Sequence, residues 1–268
     1  MKPATRHALV TGAASGIGCA VARLLAEQGW TVGMVDLDEG AVGRLASELG
    51  SNTMPLAADV TDPVSVANAF ARFGQYVDGN LDLLVNCAGL LYTGHFEEQP
   101  ASQIARLLAV NNLGLAHCCQ SALPLLKSSA ALGRQPAVVN LSSAASIIGI
   151  PSMATYSASK FWVRGFTEAL ASEWARYGVA VRDVLPPFVN TPMLETSRGN
   201  LFVKRVGVNL SPQDVAQHVL AASASGPLHH AVSWRFKLLL ALVRVVPPAL
   251  VRAALAWVGG YRPRPGKL

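Results

Sequence analysis

The feature that most constrains this chain is a repeated alternation. Short, continuously apolar runs are separated by stretches with helical spacing. Ala8-Leu9-Val10 is such a run and ends in Thr11-Gly12. Ile17, Val21, Leu24 and Leu25 then share one helical face up to Gln28, and Gly29 closes that helix. Further strands are expected over 31–35, 54–57, 81–85, 137–141 and 179–185. Helices are expected over 39–49, 64–73, 102–126 and 155–177. Strands without polar alternation are buried on both faces, the habit of a parallel sheet covered on each side by helices. The expected fold class is α/β: Rossmann-like and doubly wound, with a mostly parallel sheet and helices on both faces. Ligands of such a fold sit outside the C-terminal ends of the strands.

The first strand-to-helix turn reads Thr11-Gly12-Ala13-Ala14-Ser15-Gly16-Ile17-Gly18. Glycines there permit a tight turn and close approach of the backbone to a diphosphate, and the helix N-terminus adds free N–H groups. The second strand ends at Asp36. A carboxylate at that point accepts both ribose hydroxyls and repels a 2′-phosphate. Neither Leu37 nor Ala14 and Ser15 is a cation that would hold such a phosphate, so NAD is favoured and NADP less so. The competing role for Asp36, or for Asp38, is to cap the following helix.

Composition narrows the class. The 268 residues are 51% hydrophobic and 14% charged, well away from a disordered chain. The N-terminus carries no secretory apolar region, and Cys19, Cys87, Cys118 and Cys119 show no paired spacing. A cytoplasmic protein with reduced thiols is expected. Neither the cysteines nor the six histidines have metal-ligand spacing, so no metal is expected, and His229-His230 reads as a solvated turn. The net charge of +6 is concentrated at the end. Arg235, Lys237, Arg244, Arg252, Arg262, Arg264 and Lys267 follow the last acidic residue, Asp214, and the rest is close to neutral. This argues against a nucleic-acid partner and for a specialised tail.

Tyr156 and Lys160 lie four residues apart, about one helical turn, so a phenol and an ammonium share a helix face. A cation at about 4 Å in an effective dielectric of about 20 is worth roughly 4 kcal/mol, or about three pKa units. The pair is therefore expected to poise the phenol near neutral pH, as carbonyl/alcohol redox chemistry requires.

TGAASGIG (11–18), Asp36, Asp59-Val60, Asn86-Cys87-Ala88-Gly89, Asn111-Asn112-Leu113-Gly114, Asn140-Leu141-Ser142-Ser143, YSASK (156–160) and Pro186-Pro187-Phe188-Val189-Asn190-Thr191-Pro192 occur in order over residues 7 to about 195. In these motifs the chain resembles the short-chain dehydrogenase/reductase family in its single-domain form. The resemblance implies an NAD(P)-dependent oxidoreductase with Tyr156 as general acid/base. Lys160 would assist it and bind the nicotinamide ribose. Ser143, thirteen residues before the tyrosine and preferred to Ser142, would bond the substrate oxygen. Asn111, with Asn112 as the competing choice, would hold a proton-relay water. Asp59 would hold the adenine amino group and Val60 pack on its ring. Asn86, Ala88 and Gly89 would shape the site beneath the nicotinamide ribose. Val189 belongs to the cofactor-binding set, and Thr191 would bind the carboxamide. The glycine turn contributes Gly12, Ser15, Gly16, Ile17 and Gly18. One departure is Pro187, where the family has glycine. Relatives are commonly homodimers or homotetramers through helices near 101–126 and 155–177.

On the substrate side, Ala144, Ala145, Ile148, Ile150, Met153, Phe188, Met193, Leu194, Leu201, Phe202 and Val203 read as an apolar lining without an arginine clamp. A small lipophilic alcohol or ketone is expected. The chain thus divides into one dehydrogenase domain over 1–230 and a basic, apolar helical extension over 231–268. The cofactor half spans about 1–150 and the substrate side about 140–215. Two short helices within 234–258 suit a membrane surface, a cover for the pocket, or a second subunit.

Overall fold

The computed structural model describes residues 5–195, 197, 199–208, 210–233, 236–238, 242 and 245–261. Its seven strands are β1 (His7–Thr11), β2 (Thr31–Asp36), β3 (Thr53–Ala57), β4 (Leu83–Asn86), β5 (Ala137–Leu141), β6 (Ala180–Leu185) and β7 (His229–Ala231). They form one sheet in the order β3-β2-β1-β4-β5-β6-β7, with every pairing parallel. The fold class is the α/β, Rossmann-like one expected. β7 was hidden in the sequence because His-His-Ala has no apolar run. The pair His229-His230 is accordingly strand, not a solvated turn. His229 joins Asp183 Oδ1 through Nδ1 and Glu168 Oε1 through Nε2, each at 2.8 Å.

The helices follow from the sequence spacing. On one face lie α1 (Gly16–Glu27), α2 (Glu39–Leu49) and α9 (Pro212–Ala224), whose Val21, Leu25, Val42, Leu45, Val215 and Val219 meet Val10, Met34 and Val85 of the sheet. On the other lie α3 (Pro63–Tyr76), α5 (Leu115–Ala131) and α6 (Ala154–Trp174). Their Phe70, Phe73, Leu126 and Val163 pack on Leu9, Leu56, Leu84 and Val138. Consecutive strand residues thus feed opposite cores, which is why the strands are continuously apolar.

The long, mostly helical stretch expected over 102–126 is divided. α4 (Ala101–Leu108) passes into a π-helical segment, Ala109–Gly114, and then into α5. α7 (Pro192–Glu195) and α8 (Leu201–Val206) follow β6, and a C-terminal helix spans Pro248–Gly259. The first tail helix expected within 234–246 lies largely outside the described residues. Among the described residues no helix is long and apolar enough to cross a membrane.

The sheet order reverses between β1 and β4, and Thr11 faces Asn86 where they end. A crevice at that reversal is where a doubly wound sheet receives its ligand.

Candidate active site

The crevice is built by two loops that approach unusually closely. Thr11 Oγ1 accepts from the N–H groups of Cys87 and Ala88, both at 3.1 Å. Gly12 has φ +66°, and a Cβ there would stand 2.9 Å from Ala88 backbone atoms. A Cβ on Gly18 would lie 2.1 Å from the Gly12 carbonyl oxygen, so helix α1 packs on its own turn. Ser15 stands before α1 with no side-chain cap bond, and its helix N-terminus opens on the cleft. These are the features a diphosphate needs.

Gly12, Ser15, Gly16, Ile17, Gly18, Asp36, Asp59, Val60, Ala88, Gly89 and Thr191 all line this one cleft. Asp36 is held by N–H donation from Ala14 (2.9 Å) and Asp38 (3.1 Å). The helix cap is Asp38, whose Oδ1 accepts from Ala41 at 2.8 Å. Asp59 Oδ1 accepts from the Thr61 N–H and hydroxyl at 2.9 and 2.8 Å. Val60 stands against Gly114, where a Cβ would approach its Cγ2 to 2.7 Å, which explains the glycine closing the π-helical segment. Thr191 covers Gly16, and its methyl would be 3.3 Å from a Cβ there.

Asn86 is buried below the cleft and does not line it. Its Nδ2 donates to Asn140 Oδ1 at 2.9 Å, Asn140 Nδ2 to Thr167 Oγ1 at 2.9 Å, and that hydroxyl to Val163 O at 2.8 Å. This buried polar chain ties β4 and β5 to α6 and fixes the helix that carries Tyr156 and Lys160. Sequence reasoning missed Arg106, on the last turn of α4, which is the one cation among the described residues lining the cleft. Its signal was absent because Arg106 reads as an ordinary amphipathic-helix cation.

Ser143, Tyr156, Lys160, Val189 and Thr191 line an adjoining pocket that shares Ile17, Cys87, Gly89, Leu90, Thr191 and Met193 with the cleft. Ser143 ends the β5 loop and accepts from Ala145 N–H at 3.1 Å. Lys160, 7% exposed, donates through Nζ to Leu141 O at 2.7 Å. Burial pushes Lys160 down to about 8, against the opposing pull of Cys87 and Asp183. Burial raises the Tyr156 phenol, and its bond to Ser143 offsets part of that. The structure therefore departs from the expected neutral-pH phenol. Lys160 Nζ stands 5.7 Å from the Tyr156 ring centroid, its hydrogen bond goes to the main chain, and desolvation outweighs attraction.

Asn111 lies in the π-helical segment, but its amide is engaged. Oδ1 accepts from Leu90 N–H at 2.7 Å, and Nδ2 donates to Leu90 O at 3.0 Å and Ser159 Oγ at 3.1 Å. The side chain clamps the β4 loop to α6. Asn112 also reaches α6, donating to Ser159 O at 2.9 Å. Ser142 is buried beside Ser143.

An apolar cavity of about 310 Å³ begins at Ser143 and Pro187. Ala144, Ile148, Ile150, Phe188 and Phe202 line it as expected. Ala145, Met153 and Val203 are instead core, while Met193 and Leu194 line the adjoining pocket of Ser143, Tyr156 and Lys160. Leu201 packs against Gly260. Of the three readings of the tail, the structure shows the cover for the pocket, through residues such as Phe236, Leu242, Leu250 and Leu255.

A family profile described as short chain dehydrogenase matches residues 6–201. The chain is a member of the short-chain dehydrogenase family. It is thus a pyridine-nucleotide-dependent oxidoreductase acting at CH–OH groups and the corresponding carbonyls. It is 32% identical to a D-beta-hydroxybutyrate dehydrogenase of Rhizobium meliloti over 71% of this chain and 74% of that one. It is also 32% identical to a 3-beta-hydroxysteroid dehydrogenase of Comamonas testosteroni over 80% and 86%. The structure matches that of a short-chain dehydrogenase/reductase from Burkholderia phymatum in complex with NAD. The TM-score is 0.79 and the identity 27%, covering 89% of this chain and 92% of that one.

Proposed function

We propose that this dehydrogenase exchanges hydride between NAD(H) and a lipophilic secondary alcohol or its ketone, with Tyr156 as general acid/base. The observation that carries the reading is the position of Ser143. It lines both the pocket holding Tyr156 and Lys160 and the apolar cavity, where it is the only described lining residue with a polar side chain. A substrate whose apolar body fills the cavity therefore has its oxygen at Ser143 and Tyr156.

The bound nicotinamide supplies the hydride acceptor or donor. In oxidation the carbinol C–H leaves as hydride, Tyr156 takes the hydroxyl proton and the ketone remains. In reduction Tyr156 returns that proton to the oxygen. Ser143 bonds the oxygen and stabilises developing alkoxide charge. Lys160, a cation below about pH 8, faces the phenol and favours its proton loss. Asn111 acts by position, holding the Leu90 loop and α6 together.

NAD is favoured because Asp36 is presented by two backbone donors at the end of β2. Arg106 supports a second reading, NADP, since it is a cation in the same cleft. The relative kcat/KM with the two cofactors decides between them. Of the relatives' chemistries, a sterol-like alcohol fits better than a hydroxy acid, because no described cavity residue is a cation that would pair a carboxylate. Assembly as a homodimer or homotetramer is supported by exposed Leu108, Leu113, Phe161 and Trp162 on α4, the π-helical segment and α6. The test of function is turnover of a panel of lipophilic secondary alcohols by wild type and Tyr156→Phe. Turnover by wild type alone supports the reading, and equal rates in both refute it.

A further inference from the structure

The described part of the tail walls one side of the apolar cavity, and its C-terminal helix is tied to the body of the fold. Arg205 of α8 donates to the carbonyls of Trp257 and Val258 at the end of the C-terminal helix. The Tyr261 hydroxyl bonds Ser152 Oγ at 2.8 Å and His95 Nδ1 at 3.2 Å. Gly260 sits against Leu201, and Gly259 against Tyr261 and Pro151. The end of the C-terminal helix is thus held to α8 and to the 149–153 loop.

That wall is apolar on both sides. Leu242 and Leu250 line the cavity and are also 53% and 61% exposed. Val206, exposed on α8, lines it too, so the cavity opens to the surface among these three side chains. Val245 and Trp257 extend the exposed apolar surface at 78% and 74%. Single exposed apolar residues are ordinary, whereas a cluster around a cavity mouth is a mark of contact. Exposed Lys204, Arg205, Lys237 and Arg252 lie on the same segments, and no acidic residue follows Asp214 anywhere in the chain. A second copy would set these cations against the same cations, with no acidic residue on the segments to pair them, which is unfavourable. An anionic lipid surface matches both the charge and the apolar side chains.

We infer that the C-terminal extension seats this enzyme on an anionic bilayer with the cavity mouth facing the lipid, so that substrate enters directly from the membrane. The inference rests on the lipophilic alcohol or ketone reading for its substrate, but the docking itself does not depend on turnover. Leu242, Leu250 and Val206 form the threshold. Val245 and Trp257 enter the interface, and Lys204, Lys237 and Arg252 meet lipid phosphates.

The test uses the full chain and vesicles of phosphatidylcholine with and without phosphatidylglycerol, read by flotation. Wild type should bind the anionic vesicles at least tenfold more tightly than the neutral ones, with the difference shrinking in high salt. Val245→Asp/Trp257→Ser and Lys237→Glu/Arg252→Glu should each lose at least tenfold in binding. Both should keep wild-type turnover of a short, water-soluble secondary alcohol and lose turnover of a long-chain alcohol dissolved in the vesicles. Tyr156→Phe should bind vesicles like wild type. Equal or absent binding to the two vesicle types overturns the inference, as does wild-type binding by both double variants. A dimer that becomes a monomer in Val245→Asp/Trp257→Ser, with vesicle binding unchanged, assigns the face to a second copy and also overturns it. Vesicle binding without turnover of any alcohol would sink the proposed reaction and leave the docking standing.

Discussion

The cofactor cleft and the apolar cavity are joined through the pocket of Ser143, Tyr156 and Lys160, yet they are made in opposite ways. The cleft is built from backbone. Gly12, Gly18 and Gly114 are small because another main chain or a fixed side chain occupies the place of their Cβ. Its lining comes from loops that end successive strands, so its chemistry is set by the topology of the sheet. The cavity is built from side chains of distant segments: the β5 loop, α8 and the tail. A cofactor common to a whole family needs the first kind of site. A substrate particular to one member is accommodated by the second, where apolar side chains can be exchanged without disturbing the sheet.

The largest expected effect tests the junction. Tyr156→Phe should lower kcat by about 10²–10⁴-fold while leaving cofactor affinity within a few-fold of wild type. Steady-state kinetics with equilibrium binding would measure both, and a parallel collapse of binding would make the tyrosine a structural part of the cleft.

Next comes the backbone-built side. Gly18→Ala puts a methyl 2.1 Å from the Gly12 carbonyl oxygen, and backbone cannot move aside cheaply. A stability loss of about 3 kcal/mol or more is expected in chemical denaturation, together with loss of NAD binding. Wild-type behaviour would mean that the turn is looser than described.

Lys160 separates stability from chemistry. Its folded pKa of about 8 lies below its ordinary value, so the unfolded chain binds more protons between the two. Stability contributed by this group therefore rises with pH from about 8 upward, and below that the buried charge carries its full cost. Lys160→Met should be more stable than wild type at pH 7 by about 1–3 kcal/mol and should flatten that rise, while losing activity. Denaturation at several pH values checks the sign. Ketone reduction by wild type should also fall as pH passes about 8 and Lys160 loses its charge.

The smallest effect sharpens cofactor choice. Asp36→Ala should shift the ratio of kcat/KM for NAD over NADP by about tenfold towards NADP, roughly 1.4 kcal/mol. An unchanged ratio would move the discrimination to Arg106.

The contrast between the two regions also governs what could be read in the sequence. The strands and helices over 7–185 were legible because both faces of the sheet are buried and write continuous apolar runs. The meeting of the glycine turn and Asp36 in one cleft was legible because topology places both at strand ends. β7 was not, since a three-residue strand of His229, His230 and Ala231 carries no period. The bounds of the π-helical segment were not legible, because Ala109–Gly114 keeps helical composition while changing its hydrogen bonding. The raised Tyr156 and lowered Lys160 were unreadable for another reason. Spacing reveals that two groups are neighbours, whereas burial decides which influence dominates. The tail as a cavity wall was one of three readings, and choosing it depended on contacts between segments distant in sequence, such as Arg205 with Trp257 and Ser152 with Tyr261.

The central claim is that an apolar body in the cavity delivers a carbinol to Ser143 and Tyr156. The most direct measurement is kcat/KM for a homologous series of straight-chain secondary alcohols with NAD. The account predicts a rise of about three- to fourfold per methylene, from about 0.8 kcal/mol of burial each, until the cavity is full, with no turnover in Tyr156→Phe. A flat series, or one that falls with chain length while small polar alcohols turn over well, would contradict it.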